Sequence, residues 1–205
     1  MKKIPLFILA LSLCFAVSCK EDTKKEPEKE VVAKDNFVVK PEATSVKWTA
    51  YKTTAKKGVG GEFKTLKFDT KSGETPQDAL NNLSFSIPIS SLFTKDEGRD
   101  AKIKESFFGA MLDTDLITGT IKYASSKYVA SLTMNGVTHD LPLEVEITDE
   151  RRVTMKGTML LKDWNALGAL ESLNKICFDL HKGEDGVSKT WDDVAIEVST
   201  YLRKN

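Results

Sequence analysis

The chain has 205 residues, 30 basic and 30 acidic, with 40% apolar residues, two histidines and three cysteines. A balanced charge without a basic stripe gives no electrostatic pull toward nucleic acid. There is no P-loop, no C-x-x-C, no G-x-S-x-G, and no His or Cys at metal-ligand spacing.

Lys2 and Lys3 precede an apolar run from Ile4 to Val17 that ends in Ala16-Val17-Ser18-Cys19. A spanning helix needs about 20 apolar residues, so this run reads as a signal segment and not as a permanent anchor. Small residues before Cys19 suit a lipoprotein signal peptidase, which would leave Cys19 to take a diacylglycerol. Ala16 stands where such boxes usually carry Leu, and the alternative is an ordinary secretory signal with a chance Cys. The expected organisation is a lipoprotein signal peptide over 1–18, lipidated Cys19 with a disordered tether over 19–35, and one folded domain over 36–205. The tether is rich in Lys and Glu and has no aromatic residue, so it cannot bury enough surface to fold. Fully extended it reaches at most about 55 Å. Lys20-Glu21-Asp22 is similar to the Lys-acidic-acidic tag that sends some diderm lipoproteins to the cell surface, although the tether is charged throughout. The expected location is the cell envelope, anchored to the outer membrane on its periplasmic or its surface face. Cys14 leaves with the signal, so Cys177 has no partner for an intramolecular disulfide and is expected as a small buried hydrophobe.

Beyond the tether the dominant period is two, the signature of strands with one dry and one wet face. Leu83, Phe85, Ile87 and Ile89 alternate with polar positions, as do Leu141, Leu143, Val145 and Ile147. Val153, Met155, Gly157, Met159 and Leu161 do the same, and so do Val194, Ile196 and Val198. Weaker alternation runs over Ser45–Lys52, Glu62–Phe68, Ile117–Tyr123 and Tyr128–Met134. These are eight candidate strands. Asn135-Gly136 signals a type I′ hairpin between two of them. Gly58-Val59-Gly60-Gly61 reads as a hairpin loop, and Pro88 and Pro142 as edges or bulges. Two segments read as helices: Asp96–Phe108, with Thr94 and Glu97 spaced as a capping box, and Asp163–Leu173. Strands of this kind close into a barrel or stack as a sandwich, and the pattern alone leaves both open.

No catalytic or metal site emerges. His139 is expected to be exposed on a strand and His181 to lie in a loop. Glu144 and Glu146 share the wet face of a strand, as solvated carboxylates do.

Particular residues then point to a family. Glu97-Gly98-Arg99-Asp100-Ala101-Lys102-Ile103 followed by Phe107-Phe108 resembles the E-G-R-D…F-F segment of the YceI-like family. Leu132-Thr133-Met134-Asn135-Gly136-Val137-Thr138 through Leu143 resembles its L-T-x-x-G-V-T hairpin. Ser45–Ala50 is similar to its first long strand, and Ile87–Leu92 to its I-P-V-S-S-I strand end. Lys162-Asp163-Trp164-Asn165 departs from the family's Arg-x-x-Phe-Gly, which bears on the pocket mouth more than on the fold. The resemblance implies an all-β fold, an eight-stranded antiparallel lipocalin-like barrel with one or two short helices. It also implies a cavity for a polyisoprenoid lipid or prenyl quinone, with no cofactor. On that reading the ligand-facing set is Trp48, Phe85, Ile87, Phe107, Phe108, Tyr128, Leu132, Met134, Leu143, Val145, Met155, Met159, Trp164, Val194 and Ile196. Arg99 and Asp100 would form a structural ion pair at the barrel rim or meet a ligand headgroup. The expected partners are an apolar lipid and, through Cys19, a membrane. The oligomeric state is left open, a homodimer being one option. The rival reading is a barrel filled by its own side chains, serving as an envelope-stress or protein-interaction module; a hydrolase or redox enzyme with a dispersed site is a third.

Overall fold

The computed structural model describes residues 36–204. The expected signal segment, Cys19 and tether lie outside the described residues. In chain order the strands are β1 (Phe37–Val38), β2 (Thr44–Lys52), β3 (Lys57–Phe63), β4 (Lys67–Phe68), β5 (Ser72–Gly73), β6 (Leu83–Pro88) and β7 (Leu92–Phe93). There follow β8 (Leu116–Ala124), β9 (Lys127–Met134), β10 (Val137–Thr148), β11 (Arg152–Leu160), β12 (Thr190–Tyr201) and β13 (Arg203–Lys204). The α-helices are α1 (Pro76–Leu80), α2 (Glu97–Lys102) and α3 (Leu167–Ile176).

The main sheet is antiparallel, in the order β4-β6-β8-β9-β10-β11-β12-β2-β3-β7. Its outer strands are not independent edges. β4 continues β3 after Lys64–Leu66, and β7 continues β6 after a 3-10 turn at Ile89–Ser91. Glu62 and Phe63 of β3 face Phe93 and Leu92 of β7, while Lys67 and Phe68 of β4 face Ser86 and Phe85 of β6. Between these pairs the Lys64 amide donates to the Ser91 carbonyl at 3.0 Å. The bent β3–β4 segment therefore lies along the bent β6–β7 segment, and the sheet closes on itself. Closure leaves no open row of backbone donors and acceptors at either end of the sheet. Counted as continuous staves, the strands number the eight that the alternation predicts.

Three tight turns hold neighbouring staves in register. Asn135 and Gly136 both have positive φ (53° and 69°), as the type I′ hairpin requires. Ser125-Ser126 and Asp149-Glu150 repeat the device between β8 and β9 and between β10 and β11. The prolines mark interruptions. Pro88 ends β6, and Pro142 lies where β10 changes partner, pairing with β9 up to Leu143 and with β11 from Glu144 onward. The 3-10 turn Leu161–Trp164 ends β11 there, and its Leu161 and Trp164 share an apolar cluster with Leu141 of β10.

Three expectations need correcting. Gly58-Val59-Gly60-Gly61 is not a loop but the body of β3; the turn precedes it, at Thr53–Lys56. The first helix is capped by Asp96, whose carboxylate accepts from the Arg99 amide at 2.9 Å, and not by Thr94. It runs on into a π-helical turn (Ile103–Phe107) and a 3-10 turn (Phe108–Ala110). The second helix begins at Leu167, because Asn165 takes a left-handed conformation (φ 54°) that breaks the segment.

Two apolar clusters fill the domain. At the base, α1 and the small β13-β1-β5 sheet plug the barrel. Leu80, Leu83, Val153 and Leu202, all at most 1% exposed, form the centre of that plug with Phe37, Tyr128 and Met155. The second cluster occupies the other half, under the helices between β7 and β8 and between β11 and β12. All sheet pairing and both clusters lie inside residues 34–205, so this unit carries its own core.

Candidate ligand cavity

The base is centred on side chains with almost no exposure, and the opposite half of the barrel holds a void of about 150 Å³. Its walls come from every side. Val46, Trp48 and Ala50 enter from β2, Met159 from β11, Val194 and Ile196 from β12, and Leu132 and Met134 from β9. Ile87, Leu92, Phe63, Ile117 and Leu141 complete the barrel wall, with Leu161 at the end of β11. Helical segments roof it with Ile103, Phe107, Phe108, Leu170 and Leu173. Among the described residues of its lining, only Thr190, Trp191 and Trp48 carry a side-chain nitrogen or oxygen.

The roof owes its shape to local chemistry. Asp100 is buried, and its carboxylate accepts from the Thr94 amide (2.9 Å) and the Thr94 hydroxyl (2.5 Å), which ties α2 to the end of β7. Its partner is therefore Thr94, not Arg99. The Arg99 guanidinium meets Asp96 instead, at 3.4 Å. The π turn that follows brings Phe107 and Phe108 together edge-on, with centroids 5.1 Å apart, above the void. Such turns hold a helix in a strained register and recur at functional sites. On the far side Asn135, at the hairpin tip, donates to the carbonyls of Trp164 and Asn165 (3.0 Å each) and accepts from the Leu112 amide (2.8 Å). This one side chain joins three roof segments.

The expected ligand-facing residues divide by height along the barrel. Trp48, Ile87, Phe107, Phe108, Leu132, Met134, Met159, Val194 and Ile196 line the void. Tyr128, Val145 and Met155 point inward too, but at the plugged base. Phe85 and Leu143 pack between the two clusters, and Trp164 is 1% exposed within the upper one. These six are core positions. Leu170 and Leu173, three apart on one helix face, went unrecognised as lining, as did Ile103 and Trp191.

Trp48 is a boundary residue. Its indole lies across Gly61 on the neighbouring strand, where a Cβ would stand 2.3 Å from Trp48 Cζ2. Glycine at 61 is thus a matter of space. Gly61→Ala is expected to push the indole aside, lowering stability by about 1–3 kcal/mol and shifting tryptophan emission. An unchanged melting temperature and spectrum would contradict this packing.

Beyond Trp48 lies an outer chamber of about 220 Å³, which shares Trp48, Ala50, Ile103, Leu173 and Thr190 with the inner void. Lys52, Asp96, Arg99, Lys102, Cys177 and His181 add polar and charged groups to it. Cys177 is buried, and burial pushes its thiol above the ordinary range, so it is held as the unreactive thiol. His181 sits in a 3-10 turn (Asp179–His181) and is half-buried. The Thr190 hydroxyl donates to Asn174 Oδ1 (2.6 Å), leaving its oxygen to accept from His181 Nδ1–H at 2.8 Å. That network is satisfied by the neutral imidazole. Burial, reinforced by the Lys52 charge, holds the His181 pKa below its ordinary 6.5. The unfolded chain then takes up the proton more readily, so stability present above pH 6.5 falls as the pH drops toward the folded-state value. His181→Gln is expected to flatten the loss of melting temperature between about pH 7 and about pH 5; an unaltered slope would remove His181 as its source. His139 lies exposed on β10, against the edge of Trp164 at 5.2 Å. Glu144 and Glu146 are exposed on the same strand. Among the described residues no three His, Cys, Asp or Glu are grouped to hold a metal ion.

No curated protein matches the chain in sequence at a significant level. Among solved structures, a polyisoprenoid-binding domain from Saccharophagus degradans, implicated in plant cell wall breakdown, superposes with a TM-score of 0.60 at 12% identity. The match covers 84% of this chain and 99% of that one. BcnA from Burkholderia cenocepacia follows at 0.54 and 16% identity, over 80% and 98%. Identities this low speak for the fold alone. The sequence model of the YceI-like domain matches residues 37–202, nearly the whole of the folded unit. The chain belongs to the YceI-like family.

Proposed function

We propose that the domain binds a long apolar lipid of the polyisoprenoid or prenyl-quinone kind inside the barrel, and acts by sequestering or carrying it, without catalysis. The observation that carries this reading is the almost wholly apolar void, which shares Trp48 and four other wall residues with a more polar outer chamber. Each CH₂ withdrawn from water into such a void stabilises the complex by about 0.8 kcal/mol. The polyisoprenoid-binding description of the Saccharophagus neighbour agrees with it. Size sets a condition. A void of about 150 Å³ takes a benzene-sized guest, and sites for larger ligands run to about 300–1,000 Å³. A prenyl chain must therefore occupy the inner void and the outer chamber together, with Phe107 and Phe108 giving way on their π turn. The same small volume favours the filled-barrel reading, in which the domain serves as an interaction module.

The N-terminal sequence completes the proposal. Cleavage before Cys19 and acylation of its thiol would hold the domain at the outer membrane, where isoprenoid lipids reside. Purification of residues 34–205 followed by native mass spectrometry and solvent extraction tests the ligand. A co-purifying prenyl lipid is the expected result. Protein that carries none and takes up none from prenyl-quinone micelles would favour the filled barrel. Metabolic labelling with a palmitate analogue, lost in Cys19→Ser, tests the anchor.

A further inference from the structure

The outer chamber has a charge pattern that an apolar tail does not explain. Three cations line it, Lys52, Arg99 and Lys102, against one carboxylate, Asp96. Their bonds within the protein leave capacity unused. Lys52 Nζ donates to the Leu180 carbonyl at 2.7 Å, one of the three bonds an ammonium can make. Lys102 reaches the Gly98 carbonyl only at 3.5 Å, and Arg99 reaches Asp96 at 3.4 Å, both at the long limit. Asp96 is itself engaged in capping α2. A second, independent observation concerns Trp48, a residue that lines both chambers: its indole N–H is buried and has no acceptor among the described residues. Buried donors without partners are rare and costly. His181 beside the cations is already engaged, its Nδ1–H donating to the Thr190 hydroxyl, and burial and the Lys52 charge lower its pKa.

We infer that the outer chamber is a headgroup site for the anionic end of an amphiphile, a phosphate or a carboxylate, whose apolar tail lies in the inner void. The inference rests on the cavity reading above and narrows it: a neutral quinone ring leaves the three cations unmatched, whereas an oxyanion answers them. The Arg99 fork suits a two-oxygen anion. The Lys52 and Lys102 ammonium groups add point charges beside an apolar wall, where the low dielectric strengthens the attraction. An oxygen of the headgroup, or of its ester link to the tail, would accept from the Trp48 N–H.

The test compares three ligands with one tail and different heads: geranylgeranyl monophosphate, geranylgeranoic acid and geranylgeraniol. Their affinities for residues 34–205 are measured by titration calorimetry at low salt. The expected result is at least a ten-fold preference for an anionic head over the alcohol, about 1.4 kcal/mol, which shrinks as salt is added. The two acids, ranked against each other, identify which anion the site prefers. In the Lys52→Gln, Arg99→Gln double variant the preference falls toward one, while Arg99→Lys retains most of it. Because the readout is a ratio, a variant that is merely destabilised lowers both affinities and leaves the preference standing. Equal affinities for the acids and the alcohol would overturn the headgroup site and leave the tail cavity intact. Failure of all three to bind would overturn both.

Discussion

Trp164→Ala should cost about 3–5 kcal/mol of stability, the usual range for removing a buried tryptophan. In a domain of this size each kcal/mol lowers the melting temperature by about 2–4 °C, so the expected fall is on the order of 10 °C. The reasons are local. Trp164 is 1% exposed, and its indole donates to the Leu132 carbonyl at 2.8 Å. It lies where β10 has left β11, so its ring does in that part of the wall what a strand ladder does elsewhere. Its own carbonyl accepts from Asn135, which ties the Leu161–Trp164 turn to the β9–β10 hairpin. Trp164→Phe separates the two contributions. It keeps most of the apolar filling but loses the bond to the Leu132 carbonyl, which costs about 0.5–1.5 kcal/mol. A melting temperature for Trp164→Ala within about 2 °C of the parent would mean that the ring is not structural.

The alternation of side chains made the barrel legible, and the same alternation hid where the cavity lies. Period two tells which face of a strand is dry, but not how far along the barrel a residue sits. β12 alone spans about 40 Å, from Thr190 at the open end to Tyr201 at the base. Met155 and Met159 share a phase on β11, yet Met155 is locked into the base plug and Met159 faces the void. Nothing local to either distinguishes them. The difference comes from α1 and β1, which cover one end only. The glycine run was misread for a related reason. A cluster of glycines suggests a loop, but Gly61 is required by the indole of Trp48 on the next strand, a contact between residues that the sequence does not relate. The capping-box spacing pointed to Thr94 as the cap of α2. The shorter reach of Asp96 to the Arg99 amide took that role, and Thr94 was left to hold Asp100. His181 and the three cations come from three separate segments, so their meeting in one chamber has no signal in the linear pattern.

Filling the void from within should abolish tail binding at small cost to the fold. Val194 lines it from β12, opposite Met159 on one side and Ala50 on the other. Val194→Trp places an indole in the space where the tail would lie. Adding bulk to a well-packed core costs about 1–3 kcal/mol, and a pre-existing void of about 150 Å³ holds the cost to the lower part of that range. The affinity for geranylgeraniol or a prenyl quinone is expected to fall at least a hundred-fold, about 2.7 kcal/mol. Ala195→Trp is the matching control. Successive strand residues point to opposite faces, so it adds the same ring to the outer wall, where Ala195 borders a surface groove with Lys156 and Glu197, and binding should persist. Undiminished binding by Val194→Trp would place the tail outside the barrel. If Ala195→Trp alone lost binding, the outer groove would be the site. Loss confined to Val194→Trp is the result that an interior ligand requires.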